Sequence, residues 1–404
     1  MRAPRLLGLL ILALFVAVAA VSAQPGLPPG VKLPTVIKPG GGPGMPQVKP
    51  APPPVKTPPT GQPAPGGKDS GTPGGGTGSS TGTPGFPGGG GAGAVEGPGK
   101  KKDPGNWPKE INGKTPEMIV KEMRTNSDPA AREAAVRTLP LFGPKGRAEG
   151  ADDLVEVMNR DQDWNVRLAA VSVAPTVLYA LADAPDTPLA QGLTAIVNLM
   201  VSENMNARYD AVNAIAAFGP YARNAQPKAI STLTTRAREF GSWQMRRAAA
   251  AALGAVGQGY PQGEPGKRVD PDSGAVTALL DVLKGDNCAA VRREAVNSLI
   301  LMGPVASGQQ KKWRSDLDFV IGKEKDKSVL LWTRVCVLRN DPGGVEKNKS
   351  HLDEVAKVLE AIEPGGRVEA CQALALLGEE AKSKLQKLLD VIQNKDEKEL
   401  VVAA

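Results

Sequence analysis

The chain has 404 residues, 47 of them Gly and 37 Pro, with a formal net charge of +7. Residues 24–104 hold 23 of the Gly and 20 of the Pro, and together with the leader they carry the whole positive excess, leaving 105–404 balanced at zero. The basic charge is therefore no argument for nucleic-acid binding by the folded part, and a lone histidine, His351, excludes most histidine-dependent catalysis and most metal sites.

The first 23 residues read MRAPRLLGLLILALFVAVAAVSA. Arg2 and Arg5 precede an apolar run from Leu6 to Val21, and Val21-Ser22-Ala23 supplies small residues before Gln24. This order is that of a secretory signal peptide. The run falls short of the roughly 20 residues that span a bilayer, although an uncleaved anchor in the inner membrane stays open as the alternative. The chain is expected to be exported, to a periplasm or beyond, and to meet a membrane only if the leader is kept.

Residues 24–104 cannot bury enough apolar surface to fold and read as a disordered linker. Pro25 to Pro65 is Pro-rich with scattered lysines, which favours polyproline II, whereas Gly66 to Gly99 has the composition of a flexible coil. The glycines keep no strict third-residue period, so collagen is rejected. Lys100, Lys101 and Lys102 close the segment as a solvated boundary.

From 105 to 404 the informative signal is an internal period. With Arg132, Arg167, Arg208, Arg246, Arg292, Arg334 and Arg367 as position zero, position +3 is Ala135, Ala170, Ala211, Ala249, Ala295, Val337 and Ala370. Position +7 is Leu139, Ala174, Ile215, Leu253, Leu299, Asp341 and Leu374, and Gly recurs at +11 as Gly143, Gly219, Gly257, Gly303 and Gly378. Apolar positions −1, +3, +4, +7 and +10 lie on one side of a helix. Asp128, Asp163, Asn204 and Ser242 stand where an N-cap belongs, with Pro129 at the first helical position. The glycines fit a left-handed helix end. After each comes a second amphipathic segment, such as Val276–Leu279–Leu280–Leu283 or Leu352–Val355–Leu359–Ile362. Alternating strand patterns are absent. The expected fold is all-α, with about seven helix pairs stacked behind a capping helix near Thr115–Arg124.

The segments DPAAREAAVRTLPLFGP (128–144), NARYDAVNAIAAFGP (206–220), SWQMRRAAAAALGAVG (242–257), CAAVRREAVNSLILMGP (288–304) and GGRVEACQALALLGEEA (365–381) resemble HEAT repeats, of the subclass described in phycobilin lyases. The resemblance spans nearly all of 115–395 and implies a right-handed α-solenoid whose ordinary role is protein binding. It also implies that Pro140 and Pro175 bend their helices. The sixth copy, SVLLWTRVCVLRND, departs most from the pattern.

Each candidate site has a plain structural alternative. The seven arginines read as a stripe for phosphates or carboxylates, or as packed stems whose forks meet the chain's own carboxylates; the position near the apolar face and the zero net charge favour the second. Trp164, Trp243 and Trp332 lie where a partner is anchored or where inter-repeat grooves are capped. Tyr260 belongs to the long 257–274 segment, which, like 182–188, reads as a mobile surface loop on a binding face. Asp270 and Asp272 start like a calcium loop that is never completed. Cys288, Cys336 and Cys371 match no metal spacing and are expected as buried, unpaired thiols, with a disulfide between two of them as the alternative.

A deoxyhypusine-hydroxylase-like iron site needs several His-Glu pairs, which one His351 followed by Leu352 cannot supply, and phycobilin-lyase activity conflicts with export. The sequence therefore favours a monomeric, exported scaffold or adaptor without cofactor or catalysis, binding an unidentified protein partner. The alternative is a membrane-anchored spacer of the cell envelope.

Overall fold

A helix of about 14 residues with one apolar stripe cannot bury that stripe alone, and the chain solves this by stacking pairs. The computed structural model describes residues 107–178, 188–261, 268–360 and 364–393. The leader, the Pro/Gly-rich segment and the 182–188 loop, Pro188 excepted, lie outside the described residues. In chain order the helices are α1 (Pro116–Thr125), α2 (Pro129–Thr138), α3 (Gly143–Arg160), α4 (Trp164–Leu178), α5 (Pro188–Leu199) and α6 (Met205–Ala217). There follow α7 (Pro220–Ala225), α8 (Lys228–Ala237), α9 (Trp243–Gly257), α10 (Ser273–Gly285), α11 (Ala289–Met302) and α12 (Gln310–Lys323). The last are α13 (Lys327–Asn340), α14 (Gly344–Lys347), α15 (Lys349–Lys357), α16 (Pro364–Leu377) and α17 (Leu385–Gln393).

The first helices α2, α4, α6, α9, α11, α13 and α16 each pack on the next, and α1, α3, α5, α8, α10 and α12 form a second layer beside them. One apolar core runs unbroken from Ile119 to Ala381. The +3 alanines explain how the first layer closes: Ala135, Ala170, Ala211, Ala249, Ala295 and Ala370 are all buried, and their small side chains let neighbouring helices approach. None of the described helices is long and apolar enough to cross a membrane.

The caps follow the sequence. Asp128 accepts from Ala130 N, Asp163 from Asn165 N, Asn204 from Asn206 N and Ala207 N, and Ser242 from Met245 N. Pro140 lies in a 3-10 turn over Leu139–Phe142, beyond the α-helical part of its segment, while Pro175 sits inside α4.

The structure corrects three expectations. Gly143, Gly219 and Gly303 are not left-handed helical: Gly303 has φ +79 and ψ −170, an extended mirror conformation open essentially to glycine alone. Gly257 stays helical, and its reason is space, since a Cβ there would lie 2.6 Å from Ala275 Cβ and 2.9 Å from Met302 Cε. Second, the 257–274 segment is not simply a surface loop. Tyr260–Pro261 (β1) and Arg268–Val269 (β2) pair antiparallel, and Asp272 N donates to Gly257 O at 2.8 Å.

The third correction concerns the sixth copy. Asp326 caps α13 through Val329 N, so the residue four past the cap is Leu330 and not Arg334. The true register there is one helical turn earlier, which places buried Thr333 at the alanine position and Val337 at +7. It also explains why Asp341 interrupted the apolar series: it is the C-cap of α13. All three cysteines are free, with Cys336 and Cys371 buried and Cys288 half-buried. Burial pushes the Cys336 thiol well above its ordinary value.

Candidate functional site

The first-layer helices all run the same way, so the array has two edges, one at their N-terminal ends and one at their C-terminal ends. The arginines belong to the N-terminal edge. Arg132 donates from Nε and Nη2 to the two oxygens of Asp161, both at 2.8 Å, and from Nη1 to Asn126 O at 2.8 Å. Arg246 forks onto Asp286 and also reaches Glu239 O; Arg292 forks onto Glu324 and reaches Asp286 O. Arg208 donates to Glu239 Oε1 at 2.6 Å. Arg132, Arg246 and Arg292 thus each tie together the ends of two successive second-layer helices.

Electrostatics follow the geometry. The hydrogen bonds that Arg132 donates to Asp161 raise its basicity, and those that Arg292 donates to Glu324 do the same. Burial alone would raise Asp161 and Glu324, but the guanidinium and backbone N–H bonds they accept more than offset it and hold both below the usual carboxylate range.

Two arginines depart from this pattern. After α5 the position two before the Asn204 cap is Ser202 and not an acid, and Arg167 instead donates to Met158 O at 2.9 Å and stacks 4.1 Å from the Trp164 ring centroid. Burial lowers Arg167 from its usual value. Arg334, one turn out of register, lies 3.7 Å from Glu354. Arg367 keeps the repeat register on the first turn of α16, with Ala370 and Leu374 buried behind it.

The same edge carries apolar side chains in the open. Trp164, Met205 and Trp243 occupy the first positions of α4, α6 and α9 and are 37%, 44% and 41% exposed. Val201 and Phe240, in the preceding connections, are 60% and 100% exposed. Five large apolar residues therefore crowd three successive junctions, over about 20 Å at the usual spacing of packed helices. Scattered single apolar residues need no explanation; a row of them on successive junctions makes this edge the candidate surface.

The predicted contacts do not all meet there. Trp332 is 9% exposed and belongs to the core. Tyr260 lies at the opposite edge, beyond the C-terminal end of α9, where its hydroxyl accepts from Asn224 Nδ2 at 3.2 Å and Arg223 stands 5.7 Å from its ring centroid. Beside it opens a cleft of about 590 Å³ lined by Arg223, Ile230, Val269, Asp270 and Gln309 among others. Asp272 is used as the N-cap of α10, and the backbone oxygen of Asp270 accepts from Arg223. Among the described residues no group of three or more His, Cys, Asp or Glu is placed to hold a metal.

No known protein family and no curated protein matches the sequence. Solved structures do match. Importin beta superposes with a TM-score of 0.50 at 11% identity, covering 74% of this chain and 40% of that one. The fold is a HEAT-like helical repeat. The complex of CpcE and CpcF of phycocyanin lyase from Nostoc sp. PCC7120 is a further neighbour, with 16% identity, a TM-score of 0.34 and coverage of 72% of this chain and 99% of that one. Yeast importin-beta (Kap95p) gives 15% identity and a TM-score of 0.48, covering 72% of this chain and 39% of that one.

Within the HEAT-like array, sequence reasoning missed the acids that receive the arginines, although their signal is regular. Asp161, Asp286 and Glu324 each stand two residues before the next N-cap position and accept from that residue's N–H, at 2.8 Å in all three cases. Met205, Val201 and Phe240 were missed because a single apolar residue at a loop carries no period. Only the stacked repeats make them a row.

Proposed function

We propose that this HEAT-like chain is an exported scaffold or adaptor that binds a protein partner without catalysis, through the edge formed by Trp164, Val201, Met205, Phe240 and Trp243. The observation that carries the reading is that row of exposed apolar side chains on three successive junctions. Tryptophans backed by a rigid frame make efficient anchors, because they bring large contact area at little entropic cost. Export rests on the leader alone, with its two arginines, apolar run and small residues.

The test is cross-linking in intact cells followed by mass spectrometry, comparing the natural chain with a Phe240→Ser, Trp243→Ala double variant whose helicity is checked by circular dichroism. A partner recovered with the natural chain and lost with the variant supports the reading. Recovery undiminished by the variant moves the binding surface elsewhere. No partner at all, together with an N-terminus still at Met1, supports the anchored spacer instead; a mature start at Gln24 supports the exported form.

A further inference from the structure

A second set of charges runs along the first layer, just past the arginine ladder. Arg247 of α9 donates to Glu294 of α11 at 2.9 Å, and Arg293 of α11 pairs with Glu369 of α16 at 2.7 Å. In each rung the cation stands one position past a ladder arginine and the acid two positions past a later one. Asp210 of α6 occupies the same acid position, two past Arg208, but the residue of α4 that would supply its arginine is Leu168. Ala169 and Ala248, at the equivalent positions on α4 and α9, are buried and offer no charge. Arg247, the cation of the following helix, is committed to Glu294. Asp210 is half-buried, and among the described residues it has no ion pair and no side-chain hydrogen bond. Burial pushes its carboxyl above the ordinary range, and nothing opposes the shift. A carboxylate desolvated without compensation gains more from an arriving cation than a fully hydrated one does.

We propose that Asp210 receives an arginine of the protein partner, which fills from outside the rung that Leu168 leaves open. Arginine fits better than lysine, because both completed rungs use guanidinium groups and a planar fork can bond several acceptors at once. Such acceptors are at hand. Asn206 and Asn213 stand four residues before and three after Asp210 on α6, next to it on the helix surface, and among the described residues their side chains make no hydrogen bond. Asp210 also lies five residues along α6 from the exposed Met205, about 7.5 Å down the helix axis. The matching partner therefore carries an arginine close beside the apolar groups that meet Met205 and Trp243. This inference rests on reading that edge as a protein-binding surface and adds the charge that selects the partner. The apolar row supplies contact area, while Asp210 favours a basic side chain and repels an acidic one at the same place.

The test uses the full purified chain and the probe N-acetyl-leucyl-arginine amide, with the citrulline analogue, similar in shape but uncharged, as its control. Saturation-transfer NMR titrations read the binding of each. The natural chain is expected to hold the arginine probe at least about fivefold more tightly than the citrulline probe. Asp210→Asn is expected to erase that preference, whereas Glu203→Gln, which removes an exposed acid near the same edge, leaves it in place. Leu168→Arg is expected to close the rung from within and so to block the probe, and in urea unfolding it stabilises the natural chain more than the Asp210→Asn chain. No arginine preference in the natural chain overturns the proposal, as does a preference that survives Asp210→Asn or falls equally in Glu203→Gln. Undiminished binding after Leu168→Arg also overturns it. The readout needs neither a cellular partner nor the Phe240 and Trp243 side chains, so this inference and the reading of the edge fail separately.

Discussion

Arg246 and Asp286 form a two-pronged pair, Nε to Oδ2 at 2.6 Å and Nη2 to Oδ1 at 3.1 Å, and the same Asp286 offers its backbone oxygen to Arg292 at 2.9 Å. One residue thus receives the arginines of two consecutive repeats. The side chains of the pair are only 12% and 6% exposed, so the contact is shielded where most surface ion pairs are not. Asp286→Asn keeps the shape but weakens the fork, and it is expected to lower stability by about 1–3 kcal/mol. A double-mutant cycle with Arg246→Lys, followed by urea unfolding, is expected to show strong coupling. Additive losses would mean that the fork contributes nothing beyond its separate halves.

Arg334 carries no such burden. Leu330 holds its ladder position, and the Glu354 carboxylate lies 3.7 Å from Arg334. The Glu354 side chain is 46% exposed. Arg334→Ala is expected to cost less than Arg246→Ala, by about 1 kcal/mol or more. Equal losses in parallel urea titrations would show that the sixth copy uses its arginine as the others do.

Much of this was legible in the sequence because it repeats. The alanine at +3, the cap and the glycine each recur, and a pattern shared by stacked copies is a statement about packing. What was not legible is what happens once only. Two residues of β-pairing at Tyr260–Val269 leave no alternating pattern. The shifted register of α13 was hidden because Arg334 happened to fall one turn from the ladder. The Trp164–Trp243 row depends on three loops meeting at one edge, which no single helix period encodes.

Gly257 tests packing against conformation. Its backbone is helical, so an added methyl group meets only neighbours, Ala275 Cβ at 2.6 Å and Met302 Cε at 2.9 Å. Gly257→Ala is expected to destabilise by about 1–3 kcal/mol through overpacking between α9, α10 and α11. Gly285, at the end of α10, has nothing within 4 Å. Gly285→Ala is expected to stabilise by about 0.4–1 kcal/mol by restricting the unfolded chain. Thermal unfolding of the two variants is expected to move in opposite directions.

Cys288 stands at the N-cap of α11 and makes no capping bond, where Asp, Asn or Ser serves in the other capped copies. Cys288→Ser or Cys288→Asn supplies an oxygen to the open N–H groups of the first turn. Either is expected to raise stability by about 0.5–1 kcal/mol. The same thiol, half-buried, is expected to react with a maleimide in the native protein, while buried Cys336 and Cys371 react only after unfolding. Labelling of all three under native conditions would contradict the packing of α13 and α16.

His351 gives the array a pH dependence above the carboxylate range. Burial lowers its basicity first, and the charges of Arg314 and Arg334 add to this, against opposing pulls from Asp318 and Asp341. Its Nε2 lies 3.2 Å from Arg314 Nη2, so a neutral ring accepts there, whereas a protonated ring cannot accept and is repelled. Arg314 in turn holds Asp341 and Asn348, the polar joint between α12 and the segment around α15. Because the folded value lies below 6.5, the unfolded chain binds the proton more readily. This group's contribution is therefore fully present above about pH 6.5 and is lost as the pH falls from there toward the folded value. Between about pH 7.5 and about pH 5.5, the natural chain is expected to lose more stability than a His351→Asn variant in matched urea titrations. The paired carboxylates Asp161 and Glu324, held low, release their contributions only in more acidic solution and leave this window clear. Parallel pH profiles for the two chains would place the titrating group elsewhere.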